Sequence, residues 1–208
     1  MGMTTKALFG LPGRLLPAFM VAYGLAPALP AQTLEAPAPM GGFLSGRPLA
    51  PTESPDIRQA RELITQQQWV EAARTIDQAL DRKPRDPQWR FLQGVLFAEV
   101  GKAAEAITVF ERLTEDFPEL SEPYNNLAAL YVEQNELHRA RLLLERALMN
   151  RPDYALAHEN LGDVYVWLAI SAYQNATKGA QPSPGVKLKL DYLQSTPAVR
   201  QNRVLTPR

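Results

Sequence analysis

Pro84, Pro118 and Pro152 stand at one fixed interval of 34 residues. Proline cannot continue the hydrogen bonding of a helix, so each one marks where a helical unit stops. A constant period of this length means that one supersecondary unit recurs. Such a unit buries its apolar face only by stacking on the next copy. The chain is therefore an array, and its residues are best compared at equal positions within the unit.

With the proline set as position 32, unit one covers 53–86, unit two 87–120 and unit three 121–154, and a fourth begins at 155. Unit three carries Tyr124, Leu127, Ala128, Tyr131, Ala140, Leu144, Ala147 and Pro152. Unit two carries Gly94, Phe97, Ala106, Phe110 and Pro118, with Arg90, Gln93 and Leu113 as departures. Unit one carries Ala60, Leu63, Ala72, Ile76, Ala79 and Pro84, with Asp56 and Gln59 at two core positions. Small residues at positions 8 and 20 let two antiparallel helices approach closely, and bulky residues at 11 and 24 fill the space beside them. Leu127, Leu130 and Tyr131 fall at i, i+3, i+4, one helical stripe. Gly101-Lys102 and Asn135-Glu136 mark turns at matching places within units two and three.

This pattern resembles the tetratricopeptide repeat family over about 53–166. The resemblance implies an all-α superhelix of about three helical hairpins, followed by a long C-terminal helix and a short capping helix. The repeat domain is expected over 56–178. Unit four starts in register with His158, Leu161, Gly162 and Tyr165, but then places Gln174 and Lys178 where Ala and a bulky residue belong. Ala169, Tyr173 and Ala176 restore that spacing five residues early, and no helix breaker lies between Tyr165 and Thr177. One continuous helix is expected over about 155–177, about 35 Å long at 1.5 Å per residue. Leu161, Tyr165, Leu168, Ala169, Ala172 and Ala176 form the arc expected to cover unit three. Val166, Trp167 and Ile170 lie outside it. Ser183-Pro184, a cap residue followed by proline at the first helical position, predicts a short helix over about 184–194. Residues 179–208 are read as this capping helix and a basic tail.

At the front, Lys6 and Arg14 precede the apolar run from Leu15 to Leu25, and small residues follow from Ala26 to Ala31. That order reads as a secretory leader over 1–31, cleaved after Ala28 or Ala31, and the mature chain is expected in the periplasm or secreted. An uncleaved membrane anchor is disfavoured, because a span of about 20 residues would bury Arg14 and contain Pro17 and Pro27. With the leader removed, no stable membrane span is expected. Residues 32–55 hold Pro37, Pro39, Gly41, Gly42, Gly46, Pro48, Pro51 and Pro55 and read as an extended linker. Lysine plus arginine equals aspartate plus glutamate at 22 each. The repeat region is nevertheless net acidic and both ends are basic. The absence of cysteine excludes disulfides, cysteine-ligated metal and thiol nucleophiles.

No reactive centre is legible. His158-Glu159 opens a zinc-protease pattern, but Gly162 stands where its second histidine is required. His158 occupies repeat position 4 and is expected to pack, and His138 to be solvated. No phosphate-cradling or dinucleotide-binding glycine motif and no nucleophile elbow occurs. The chain is expected not to be an enzyme and to have no cofactor, no metal site and no nucleic-acid partner.

By the same resemblance, the first helix of each unit lines a concave groove. In units two to four the lining residues are Phe91, Leu92, Val95, Glu99, Glu122, Asn125, Asn126, Ala129, Glu133, Glu159, Asn160, Asp163 and Trp167. The early end is apolar and the late end acidic, which suits an extended peptide or a partner helix with basic residues. Asn125, Asn126 and Asn160 offer paired amide donors and acceptors to a peptide backbone. The family's clamp for a chaperone's terminal carboxylate is not carried over: Asn126 fits it, but Phe91, Val95, Leu156 and Asn160 stand where the others belong. The leading expectation is an exported protein–protein interaction adaptor, in envelope assembly or secretion. Self-association through Val166, Trp167 and Ile170 is the second reading. Tethering of the basic tail to anionic lipid or nucleic acid is the third.

Overall fold

The computed structural model describes residues 53–196, except 180 and 182, together with Val199. The expected leader, nearly all of the linker and the end of the tail lie outside the described residues. Eight helices run in order: α1 (Pro55–Thr65), α2 (Trp69–Arg82), α3 (Pro87–Glu99), α4 (Ala103–Asp116), α5 (Ser121–Glu133), α6 (Leu137–Asn150), α7 (Ala155–Thr177) and α8 (Pro184–Ser195). The first six pair as antiparallel hairpins. The first helices α1, α3, α5 and α7 touch in sequence, and each second helix packs on the next first helix. Among the described residues the fold is all-α, the expected superhelix.

The repeat is visible in the backbone as well as in the side chains. The C-caps Lys83, Phe117 and Arg151 have φ near −137° and donate their N–H groups to Ala79, Leu113 and Ala147, all at position 27. Each cap precedes a period proline, which pushes it out of the helical region. At position 15, Gln67 (φ 58°), Gly101 (φ 77°) and Asn135 (φ 60°) take the left-handed conformation that turns the hairpin. Glycine and asparagine reach it readily, whereas Gln67 bears a cost of about 1–2 kcal/mol. The equivalent residue in unit four is Ala169, which stays helical, and α7 runs unbroken through the place of the lost turn.

Helix starts follow local chemistry. Ser54 Oγ accepts from the Ile57 amide at 3.3 Å, and Asp86 Oδ1 accepts from Gln88 at 2.9 Å. Pro55 and Pro87 open their helices, where the missing N–H costs nothing. Pro55, assigned to the linker from sequence, is thus the first residue of α1. Ser183 holds the N-cap position of α8, although its side chain makes no capping bond.

Within each hairpin the small positions set the approach. Ala60, Ala72, Ala106, Ala128 and Ala140 are fully or almost fully buried. Gly94 lies under Phe110: a Cβ there would meet ring carbons at 2.6 and 2.8 Å. Phe91 tilts against the same ring, with centroids 5.7 Å apart. Position 4 is held by polar tips, both at the departure Arg90 and at the matching Tyr124. Arg90 pairs with Asp116, and Tyr124 donates to the Thr114 carbonyl at 3.2 Å. His158 does not pack as expected. It is exposed, and its Nε2 donates to the Pro152 carbonyl at 2.9 Å. His138 is exposed.

The contact face of α7 is rotated from the one expected. Ala157, Asn160 and Val164 are buried, Leu161, Leu168 and Ala169 are half-buried, and Tyr165, Ala172 and Ala176 are exposed. In complete units, positions 8 and 11 face the unit's own second helix. Unit four has none, so Gly162 and Tyr165 have no such helix to meet. Val166, Trp167 and Ile170 are half-buried, and α8 packs on α7.

Position 8 therefore predicts opposite outcomes for one substitution. Gly94→Ala gains about 1 kcal/mol of helix propensity and loses about 1–3 kcal/mol to overpacking against a ring with no room to move. It should destabilise by up to about 2 kcal/mol. No neighbour lies within 4 Å of the Cβ built at Gly162, so Gly162→Ala should stabilise by about 0.5–1 kcal/mol. Urea unfolding of the two variants measures both signs.

Candidate partner-binding groove

Positions 5, 6 and 9 of the first helices line one face, with Phe91 at position 5 also meeting Phe110 of α4. On α3 these are Phe91, Leu92 and Val95, all buried. On α5 they are Asn125, Asn126 and Ala129, also buried, and on α7 Asn160 and Asp163, buried and half-buried. The structure brings the three asparagines together. Asn160 Nδ2 donates to Asn125 Oδ1 at 2.8 Å, and Asn125 Nδ2 donates to Asn126 Oδ1 at 3.3 Å. The amides thus bridge α5 and α7 directly.

Glu122 is separate from this face in its chemistry. It is 3% exposed and accepts from Arg151 Nη1 at 2.6 Å. Arg151 also lies over the Tyr154 ring, 3.7 Å from its centroid. Glu122 therefore ties the start of α5 to the end of α6. Trp167 is half-buried and packs against the core.

The remaining carboxylates form a rim. Glu99 and Glu133 close α3 and α5 at the same repeat position, and Glu159 and Asp163 lie one turn apart on α7. Glu99, Glu133 and Glu159 are exposed, and none of the four makes an ion pair with a described residue. Partial desolvation by the surrounding groove lifts the Glu133 carboxyl, exposed as it is, above its ordinary range, and the charge of Glu99 adds to the effect. Asp163 is raised for the same reasons, burial first and then the charge of Glu159.

Unit one completes the face and was missed from sequence, where only units two to four were considered. The same positions in α1 are Ile57, Arg58 and Arg61. Arg61, Ile64 and Thr65 join Gln67, Trp69, Leu92, Val95 and Glu99 around a cleft of about 270 Å³. Glu53 Oε1 accepts from Arg61 Nε at 3.0 Å and Nη2 at 2.6 Å. Extending the position rule one unit back would have found Arg58 and Arg61. The face then grades from cationic through apolar and amide to acidic, along α1, α3, α5 and α7.

A second polar cluster lies behind this face. Tyr131 donates to Glu111 at 2.7 Å and accepts from Arg139 at 2.6 Å, with the guanidinium 3.9 Å from the ring centroid. Burial, reinforced by the hydrogen bond and charge of Glu111, pushes the phenol up to about 12. The cluster joins α4, α5 and α6 and offers no reacting group. Among the described residues no set of three or more metal-binding side chains converges, and no helix is long and apolar enough to cross a membrane.

Two family models, each described as tetratricopeptide repeat, match residues 57–120 and 97–162, together just over half of the chain. The chain belongs to the tetratricopeptide repeat family. It is similar in fold to the crystal structure of a thermophilic TPR protein of Thermus thermophilus, with a TM-score of 0.52 and 19% identity over 72% of this chain and 86% of that one. No curated protein matches the chain significantly in sequence. Tetratricopeptide repeats form protein-interaction scaffolds, and the concave face is the surface such a stack presents.

The raised carboxyls give this tetratricopeptide face a pH signature. Folded Glu133 and Asp163 hold protons to higher pH than in the unfolded chain. Stability attributable to them therefore falls as pH rises from the ordinary carboxylate pKa through the raised one, and is level above it. Glu133→Gln removes one penalty. Its melting temperature should exceed that of the parent at pH 7 and equal it in acid, where the Glu133 carboxyl is protonated in both states, read by calorimetry.

Proposed function

We propose that the chain is an exported adaptor whose concave face grips an extended peptide or partner helix carrying apolar side chains and basic groups. The observation that carries this reading is the grading of the face. Phe91, Leu92 and Val95 supply an apolar floor, and Glu99, Glu133, Glu159 and Asp163 supply a rim of charge without partners among the described residues. Such a rim speeds encounter with a cationic ligand and orients it, while the apolar floor holds it. Catalysis has no part in this reading, because the face holds no nucleophile paired with a base. Envelope assembly or secretion is the setting that fits an exported adaptor.

The leader makes the first test simple. N-terminal sequencing of the chain recovered from the periplasm or medium should begin at Leu29 or Gln32. Recovery of the whole chain, beginning at Met1, in the membrane fraction would overturn export by cleavage. The face itself is tested by crosslinking and affinity capture from the native envelope. Glu133→Lys with Asp163→Lys should cut recovery of a captured partner at least about tenfold, the equivalent of about 1.4 kcal/mol. Recovery unchanged by the pair removes the acidic rim from the binding site.

A further inference from the structure

We propose that the cleft between α1, the α1–α2 turn and α3 receives a single arginine side chain from the bound peptide. This rests on the reading of the concave face as the binding surface and names one residue that its partner must carry.

The cleft has the size of a side chain. Its volume is about 270 Å³. Cofactors and small-molecule ligands occupy sites of about 300–1,000 Å³, so this one is small for them. Ile64, Leu92 and Val95 give it an aliphatic wall, and Trp69 adds an aromatic one. A wall of this kind takes the methylenes of a long side chain while the charged head stays at the mouth.

The balance of charge selects a cation. Two ionised side chains line the cleft, Arg61 and Glu99. Alone, Arg61 would repel a cationic guest and offset the attraction of Glu99. Glu53 removes that repulsion: its Oε1 accepts from Arg61 Nε at 3.0 Å and from Nη2 at 2.6 Å. Arg61 and Glu53 together are neutral, and the charge left to the cleft is that of Glu99. Glu99 is exposed and makes no ion pair with a described residue. An anionic mouth on an apolar wall rejects an acidic side chain and gives a neutral one no partner for the carboxylate.

The acceptors favour arginine over lysine. Thr65 Oγ1 donates to the Arg61 carbonyl at 3.0 Å, which leaves its lone pairs for another donor. Gln67 brings an amide oxygen to the same cleft. With Glu99 these are acceptors on three separate residues, a set better matched by the five N–H groups of a planar guanidinium than by a compact ammonium. Indole rings are also the side chains that attract a guanidinium most strongly. Gln67 has a further mark. Units two and three place Gly101 and Asn135 at its position, residues suited to the left-handed turn, whereas unit one keeps glutamine there at φ 58°. Its side chain in the cleft gives that costly choice a use.

The test uses N-acetyl-arginine amide added to the isotope-labelled full chain and followed by NMR. The Trp69 indole N–H and the amides of Val95 and Glu99 should shift saturably, with a dissociation constant of about 1 mM for a compound of this size. N-acetyl-leucine amide should leave them in place, and N-acetyl-lysine amide should bind at least about threefold more weakly. Glu99→Gln should weaken binding at least about fivefold, while Glu115→Gln, exposed on α4, should not change it. Glu53→Gln should weaken it too, by releasing the charge of Arg61, and Glu53→Gln combined with Arg61→Met should restore it. That restoration separates charge balance from a merely structural role for Glu53. If Glu53→Gln loses its helical circular dichroism, Glu99→Gln decides the matter. No saturable shift, equal shifts from the leucine compound, or binding untouched by Glu99→Gln overturns the proposal, and equal binding of the lysine compound overturns the assignment to arginine. The two readings fail separately: arginine amide bound by a chain that captures no envelope partner sinks the adaptor, and capture by a chain whose cleft takes no arginine amide sinks only the cleft.

Discussion

Close approach of two antiparallel helices is the constraint on which the rest of this structure depends. Gly94 sits against the Phe110 ring at a distance that no side chain could share, and Ala128 and Ala140, the small residues of the next unit, are buried. With the helices that near, the bulky residues Phe110 and Leu144 are sealed completely. Each further unit reproduces the geometry because the left-handed residue at position 15 and the pre-proline cap fix both ends of the second helix. The groove follows from this packing: first helices share one layer because second helices occupy the other.

Polar links then stitch units that apolar packing alone would leave free to slide. Arg151 binds the buried Glu122 across the α5–α6 hairpin, and Arg139, Tyr131 and Glu111 join three successive helices. Asn160 to Asn125 does the same across the concave side. A buried carboxylate such as Glu122 is tolerable only with its partner in place, and removing Arg151 would leave a charge whose desolvation is worth several kcal/mol.

The repeat was legible because it is written at fixed positions by residues with single steric roles. Pro84, Pro118 and Pro152 end helices wherever they occur, and Gly94 and Ala128 admit a neighbour whatever its identity. The lost turn in unit four was equally readable, since Ala169 stands where Gln67, Gly101 and Asn135 turn the chain. What sequence misplaced depends on a missing neighbour. Tyr165 has the right residue type to pack, but the helix it would meet does not form, so the burying arc moves to Ala157, Asn160 and Val164. His158 likewise fits a packing position, yet its ring finds the Pro152 carbonyl in solvent. In the groove, position alone placed the lining residues on one face but gave no sign that Glu122 would be consumed by Arg151. Nor did it show that the asparagines would bond to one another.

The end of the stack shows why a repeat array needs an irregular terminus. A fourth complete hairpin would present another apolar face and require a fifth. Instead α7 continues straight, offers the third hairpin its Ala157–Val164 side, and receives α8 on its distal half. The cost is incomplete cover: Tyr165, Leu188 and Tyr192 remain largely exposed. Tyr165 softens this by donating to Glu145 at 3.1 Å, which keeps the polar end of the ring engaged with α6. Lys187 and Asp191, paired at 2.9 Å one turn apart on α8, keep charge beside Leu188 and Tyr192. Interleaved charge of this kind opposes the edge-on association that a bare apolar end would invite, so growth of the array stops where the regular period stops.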